Sequence, residues 1–258
     1  DWEAAYYQVL PDYLKSYQDL GYRSLCIGSE AIVNLSTFSI AGGDKKNIRT
    51  NVNKMNKLGY QAQVLQPPHP PDLLRELRQI SDEWLTSMHG TEKRFSLGWF
   101  DEDYLNSSQV IVIHNPEGFI DAFANLLPEY QAREVSIDLM RHRHQAEKGQ
   151  MDFLFVSLIE WAKGQGYATF NMGLSSLAGI GENPTDPAIE RALHYVYEHV
   201  NQFYNFKGLH EFKAKFSPSW SPRYLVYPSV ASLPAVTIAL LQADSGTHIL
   251  GGYRKRSK

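Results

Sequence analysis

Two apolar runs, Val110–His114 and Phe119–Leu127, face each other across Asn115-Pro-Glu-Gly118, and this pattern limits the fold more than any other in the chain. Pro and Gly in a four-residue link specify a tight reversal, so the runs are expected to pair as an antiparallel hairpin. A third strand-like run, Glu134–Met140, carries Asp138 in its middle and Arg141 just past its end. An apolar-rich helix over Met151–Gly164 and a strand over Ala168–Met172 come next. A helix over Ile189–Phe203 and a strand over Tyr224–Tyr227 complete a β–β–β–α–β–α–β half.

The first half reads as a weaker mixture of strands and helices. Tyr6–Val9 is expected as a strand, followed by a helix from Pro11 that Gly21 stops. Tyr22–Ile27 and Ala31–Asn34 read as two short strands. Asp44 is placed to cap a helix that Gly59 ends. Tyr60–Leu65 reads as a strand, Pro67–Pro71 as a stiff connector, Leu73–Met88 as an amphipathic helix, and Phe95–Tyr104 as a loop with a short helix. Pro234–Gln242 is expected as a short apolar helix before a basic tail, Tyr253–Lys258. The economical reading is an α+β chain of two similar units, residues 1–105 and 106–258, the first one truncated at its start.

Composition excludes several function classes. The chain has 258 residues, 43% of them hydrophobic, and a formal net charge of −3. It can bury a substantial core, and any polyanion site must be a local patch. One cysteine, Cys26, leaves no disulfide framework and no cysteine-rich zinc site. No apolar run is long enough to span a bilayer, and a reducing, cytoplasmic setting fits. His142 and His144 lack a third ligand nearby, so no metal is expected. Ser175-Ser176 sits in no nucleophile elbow, and Gly42-Gly43-Asp-Lys-Lys46 lacks P-loop spacing.

The chemistry-bearing candidates are cationic. In Phe203–Arg223, aromatic side chains supply apolar surface that fixes Lys213, Lys215 and Arg223 in place. The helix ending at Leu58 carries Lys45, Lys46, Arg49, Lys54 and Lys57 with Asn47, Asn51, Asn53 and Asn56 between them. It reads either as a solvated face or as one that meets phosphates. Asn171, at the end of a strand-like run, and Glu198, on the helix before Phe203, are further candidates.

Many short motifs then agree in order: Gly28-Ser-Glu-Ala31, Ile80-Ser-Asp-Glu-Trp84, Phe95-Ser-Leu-Gly98, Phe100-Asp-Glu-Asp-Tyr104, Phe123-Ala-Asn-Leu126, Asp138-Leu-Met-Arg141, Met151-Asp-Phe-Leu-Phe155, Phe203-Tyr-Asn-Phe206 and Phe212-Lys-Ala-Lys-Phe216 through Arg223. Over nearly its whole length the chain resembles the soluble C-terminal domain of the bacterial phosphatidylglycerol lysyltransferases, the multiple peptide resistance factors. It is more distantly similar to the peptidoglycan Fem aminoacyltransferases. The resemblance implies a tandem GNAT-like fold with the active site in the second unit. It implies transfer of an aminoacyl group from aminoacyl-tRNA to phosphatidylglycerol, at the cytoplasmic face of a bacterial inner membrane and beside an N-terminal flippase region absent from this chain. Lysine is the first choice of amino acid, with alanine and arginine open.

An aminoacyl ester is already activated, so neither a covalent nucleophile nor a cofactor is expected. Asp138, Arg141 and Lys213 are the expected catalytic residues, and Asp138 is read as holding the substrate ammonium in preference to acting as a base. Lys215, Arg223, Glu198 and Asn171 are expected to bind substrate. In folds of this kind a strand splays to admit the substrate carbonyl, and the helix start near Gln150–Met151 would receive an anion. Two alternatives stay open. An acyl-CoA N-acyltransferase is disfavoured because Gln145-Ala-Glu-Lys-Gly-Gln150 does not fit a pyrophosphate loop, and the other is a non-catalytic tRNA- or membrane-binding module.

Overall fold

The expected hairpin forms: β4 (Gln109–His114) and β5 (Ile120–Glu129) pair antiparallel, and Gly118 turns at positive φ between them. The computed structural model describes residues 3–88, 92, 95, 98–129, 133–177, 180 and 206–245. Glu198, the expected helix over 189–203 and the basic tail lie outside the described residues.

The other elements are β1 (Tyr6–Val9), α1 (Leu14–Asp19), β2 (Arg23–Asn34), α2 (Lys46–Leu58), β3 (Gln61–Leu65), α3 (Pro71–Ser87), α4 (Glu102–Asn106), β6 (Glu134–His142), α5 (Gln150–Gly164), β7 (Thr169–Ser176), α6 (Phe206–Ala214), β8 (Ser219–Tyr227) and α7 (Leu233–Ser245). They build a mixed α+β fold around one eight-stranded sheet of order β1-β8-β2-β7-β6-β5-β4-β3. The β6–β7 pair is parallel; its neighbours in the sheet pair antiparallel.

Helices cover both faces of the sheet. Ile111 and Ile113 of β4 pack with Ile48, Val52 and Met55 of α2 and Phe155, Leu158 and Ile159 of α5. Val110 and Val112, alternating with them, pack with Leu74, Leu77 and Ile80 of α3 and Leu105 of α4. Burial on both faces explains why β4 is a continuous apolar run instead of an alternating one. At the far end, Leu233, Val236 and Leu240 of α7 cover Leu25 of β2 and Leu225 and Tyr227 of β8.

The structure corrects three local expectations. Tyr22–Ile27 and Ala31–Asn34 are parts of one strand, β2, kinked by register shifts at Cys26/Gly28 and Glu30/Ile32. Gly28 reads as a break in the sequence but is what lets the strand continue. Its φ is +143°, and a Cβ there would lie 2.3 Å from the Ser175 carbonyl oxygen. Gly28→Ala is therefore expected to destabilise the fold by about 3 kcal/mol, visible as a lowered Tm in thermal unfolding. Second, Asp44 does not cap α2. The N-cap is Lys45, whose buried ammonium turns inward to the Lys215 carbonyl and Ser217 Oγ, each at 2.5 Å. Third, β8 starts at Ser219, well before Tyr224, and runs through Pro222.

Candidate active site

Asp138 and Arg141 are three residues apart, a spacing that regular alternation assigns to opposite faces of a strand. A bulge corrects this. Ala124 pairs with Met140 and Leu126 with Ile137, so Asp138 and Leu139 together stand opposite Asn125. The fully buried Asn125 side chain accepts the Leu139 N–H at 2.8 Å, satisfying a donor that the bulge would otherwise strand. Ile137 and Met140 pack toward α5, whereas Leu139 packs toward α3. Both polar residues thereby share the face away from α5.

On that face Asp138 is held by two donors through three hydrogen bonds. The Gly98 N–H reaches its two oxygens at 2.8 and 2.9 Å, and the Tyr104 hydroxyl donates to Oδ2 at 2.5 Å. Burial, and then the bond to Asp138, raises the Tyr104 phenol well above its usual range, so it stays a donor. Gly98 is dictated by the approach: a Cβ there would sit 2.1 Å from Asp138 Oδ2. The buried Arg141 guanidinium donates to Glu92 Oε2 at 3.2 Å and lies 4.2 Å from the Trp84 ring centroid. Glu92 Oε1 in turn accepts from Phe100 N at 3.2 Å. Asp138 and Arg141 thus fasten Gly98, Tyr104 and Glu92 onto β6.

β6 and β7 pair only over Glu134–Ser136 and Thr169–Asn171. Beyond that contact β6 pairs with β5 and β7 with β2, so the two parallel strands part. Asp138 lies on one wall past the divergence, and Gly173–Ser176 forms the other. Two consecutive β7 carbonyls, those of Gly173 and Leu174, converge on Lys213 Nζ at 2.9 and 3.0 Å. The positive φ of Gly173, +79°, belongs to this turn of the backbone. Lys213 is 4% exposed, and desolvation pulls its ammonium down to about 8, with Glu30 as the opposing influence. Phe212 and Phe216 flank it in sequence and pack on Phe155, with centroids 5.1 and 5.5 Å away. This is how the aromatic-rich stretch fixes its lysine.

A chain of polar side chains continues on the face away from α5. Arg223 pairs with Glu30, the Asn171 amide donates to Glu30 at 2.8 Å and to Glu134 at 3.0 Å, and Asn171 Oδ1 accepts from Gly173 N at 2.8 Å. Phe170 and Met172 on either side of Asn171, and Val135 beside Glu134, face α5, which confirms the side. The Arg223 fork donates to Glu30, Ser221 Oγ and the Pro222 carbonyl.

The start of α5 forms a third group. Gly149 is its N-cap at φ 99°, and no side chain caps it. Asp152 in the first turn accepts from Lys215 at 3.0 Å and from Asn51 of α2 at 2.6 Å. Lys215 is half-exposed and stacks 4.7 Å from the Phe212 ring centroid. Gln150 is 1% exposed, and neither its amide nitrogen nor its oxygen meets a partner among the described residues. A buried amide in that state calls for a ligand or water to complete it.

The structure thus brings Asp138, Asn171 and Lys213 to the divergence of β6 and β7, and places Arg141, Arg223 and Lys215 where they orient neighbours. Sequence reasoning passed over Glu30, Glu134, Tyr104 and Gly98 as site residues, whereas the helix start at Gln150 was marked as an anion site. Glu134 opens one expected strand and Glu30 immediately precedes another, an acid at a strand end being the available signal; no sequence pattern marked the convergence of Gly98 and Tyr104 on Asp138. Among the described residues no group of three His, Cys, Asp or Glu side chains is placed to hold a metal, and no helix is long and apolar enough to cross a membrane.

A family profile described as phosphatidylglycerol lysyltransferase, C-terminal, matches residues 1–227. The chain is 40% identical over 252 residues to the phosphatidylglycerol lysyltransferase of Bacillus subtilis, a match covering 98% of this chain but 28% of that protein. Among solved structures, L-PGS from Bacillus licheniformis is 42% identical with a TM-score of 0.79, over 93% of this chain and 72% of that one. FemX shares the fold at 10% identity, with a TM-score of 0.58 over 91% of this chain and 74% of its own.

Proposed function

The chain belongs to the phosphatidylglycerol lysyltransferase C-terminal family, and from that premise we propose that it moves an aminoacyl group from aminoacyl-tRNA to a hydroxyl of phosphatidylglycerol. The reaction exchanges one ester for another. The acceptor hydroxyl oxygen bonds to the aminoacyl carbonyl carbon, the bond to the tRNA ribose oxygen breaks, and the hydroxyl proton leaves with that oxygen. The enzyme must orient two substrates and stabilise the charge that develops on the carbonyl oxygen.

The observation that carries this reading is the divergence of β6 and β7, with a fixed carboxylate on one wall and a buried amine on the other. Asp138, oriented by the Gly98 N–H and the Tyr104 hydroxyl, holds the substrate α-ammonium. Lys213 spends two N–H bonds on β7 carbonyls, and as an ammonium it keeps a third for the oxyanion. Glu30 and Glu134 outnumber Arg223 on the same face and suit the side-chain cation of lysine, which supports lysine over alanine. The uncapped start of α5, with Gln150 and Lys215, receives a phosphate of the tRNA terminus.

In the same reading the sheet is a tandem GNAT-like arrangement, residues 1–105 and 106–258, with the site in the second unit. The catalytic unit works at the cytoplasmic face of the membrane beside an N-terminal membrane flippase region. Its product lowers the negative charge of the membrane and so confers resistance to cationic antimicrobials. The test is transfer from labelled lysyl-, alanyl- and arginyl-tRNA, each offered separately, to phosphatidylglycerol in detergent micelles. Lipid labelling from lysyl-tRNA is expected. No labelling from any of the three, by a protein that still binds tRNA or liposomes, overturns the transferase.

A further inference from the structure

The outer face of α2 takes no part in the site described above. Its thirteen residues include Lys46, Arg49, Lys54 and Lys57 and not one Asp or Glu. Ile48, Val52 and Met55 form its buried stripe, so the apolar side of the helix, Leu58 at its end apart, is used by the core. What remains outside is Lys46, Asn47, Thr50, Asn53, Lys54, Asn56, Lys57 and Leu58. Arg49 is tied to the Ile40 and Gly42 carbonyls, and Lys54 to Glu147. Lys46 and Lys57 are exposed and pair with no acid among the described residues.

We infer that this face is a docking surface for the phosphodiester backbone of the donor RNA, away from its reacting end. The inference rests on the aminoacyl-tRNA reading above. The protein as a whole is net negative, so a cationic helix without acids is a local departure that a polyanion would meet. RNA is favoured over an anionic bilayer because membrane-surface helices commit an apolar face to acyl chains. Here that face is in the core, and the outward side offers amides and a hydroxyl, groups that hydrogen-bond to phosphate and sugar. An open depression of ≈520 Å³ lined by Thr50, Asn53, Lys54, Lys57 and Leu58 gives such a strand a seat.

Position favours the same occupant. Asn51 bonds to Asp152 at the start of α5, and Lys54 bonds to Glu147 just before it. Lys45, immediately before α2, holds the carbonyl of Lys215. The helix therefore lies alongside the anion-receiving end of the site, and Lys46 to Lys57 spans about 16 Å along it.

The experiment compares the full chain with a Lys46→Gln/Lys57→Gln variant, both residues lying outside the site. Equilibrium binding of uncharged tRNA is measured across a salt series, alongside transfer kinetics. The variant should bind tRNA about 10-fold more weakly, with the salt slope reduced by about two charges. KM for aminoacyl-tRNA should rise while kcat and the rate with an aminoacyl-adenosine donor stay unchanged. Unchanged tRNA affinity overturns the inference, as does a loss confined to vesicles of phosphatidylglycerol or an equal loss with the truncated donor. If the wild-type protein transfers nothing, the functional reading fails while the tRNA-binding comparison still decides this surface.

Discussion

Replacing Lys213 by methionine is expected to lower transfer to phosphatidylglycerol by about 10³-fold while leaving the protein at least as stable as the wild type. The two halves of this expectation have separate causes. Burial pulls the ammonium to about 8 in the folded protein, from 10.5 for a lysine in water. Folding therefore costs more below pH 8, where the folded and unfolded chains both carry the proton. Between pH 8 and 10.5 the unfolded chain binds the proton and the folded chain does not, so stability rises with pH across that window. Methionine removes a penalty of at most about 3 kcal/mol at neutral pH, and loss of the two carbonyl bonds offsets part of it. Activity runs the other way. An ammonium that stabilises the oxyanion is lost as pH rises through about 8, so kcat should fall there, after correction for spontaneous ester hydrolysis. A kcat that rises through that range would make Lys213 a base instead, and a variant with unchanged transfer would remove it from the chemistry.

Asp138→Asn is expected to cost about 10²–10³-fold in kcat/KM, with the loss concentrated in transfer and little change in Tm. The amide keeps the shape of the side chain and still accepts from Gly98 or Tyr104 through its oxygen, but it no longer carries the charge that orients an ammonium. A companion change separates charge from placement. Gly98→Ala leaves the carboxylate intact and drives a methyl group into it, at 2.1 Å from Oδ2. Displacing Asp138 in this way should cost a similar factor, because an error of about 1 Å in a positioning group costs about 10²-fold. Transfer that survives Asp138→Asn and fails only with Gly98→Ala would assign Asp138 to holding Gly98 and Tyr104 alone.

Much of the architecture was legible because its signals are local. The Asn115–Gly118 reversal, the Gly59 stop of α2 and the apolar stripe of α5 each depend on residues within a few positions of one another. The bulge at Asp138-Leu139 was not legible, because it is defined by Asn125 on another strand. Likewise Gly28 reads as a breaker until β7 is seen passing against it. Arg223 shows the limit for the site. In the sequence it is a cation held among aromatic residues, but its partner is Glu30, far away in sequence. Charge type is written locally, whereas the identity of a partner is decided by which strands become neighbours.

The position of β2 in the sheet has a consequence for how the protein comes into being. It lies between β7 and β8, both made after it, and its last residue, Asn34, pairs with Thr169. As the chain leaves the ribosome, β3 to β6 can pair with near neighbours, while β2 waits with both edges open. An unpaired strand carrying Leu25, Ile27, Ile32 and Val33 invites association with other nascent chains. Truncations that stop short of β8 should therefore be lost to aggregation rather than accumulate as smaller soluble folds.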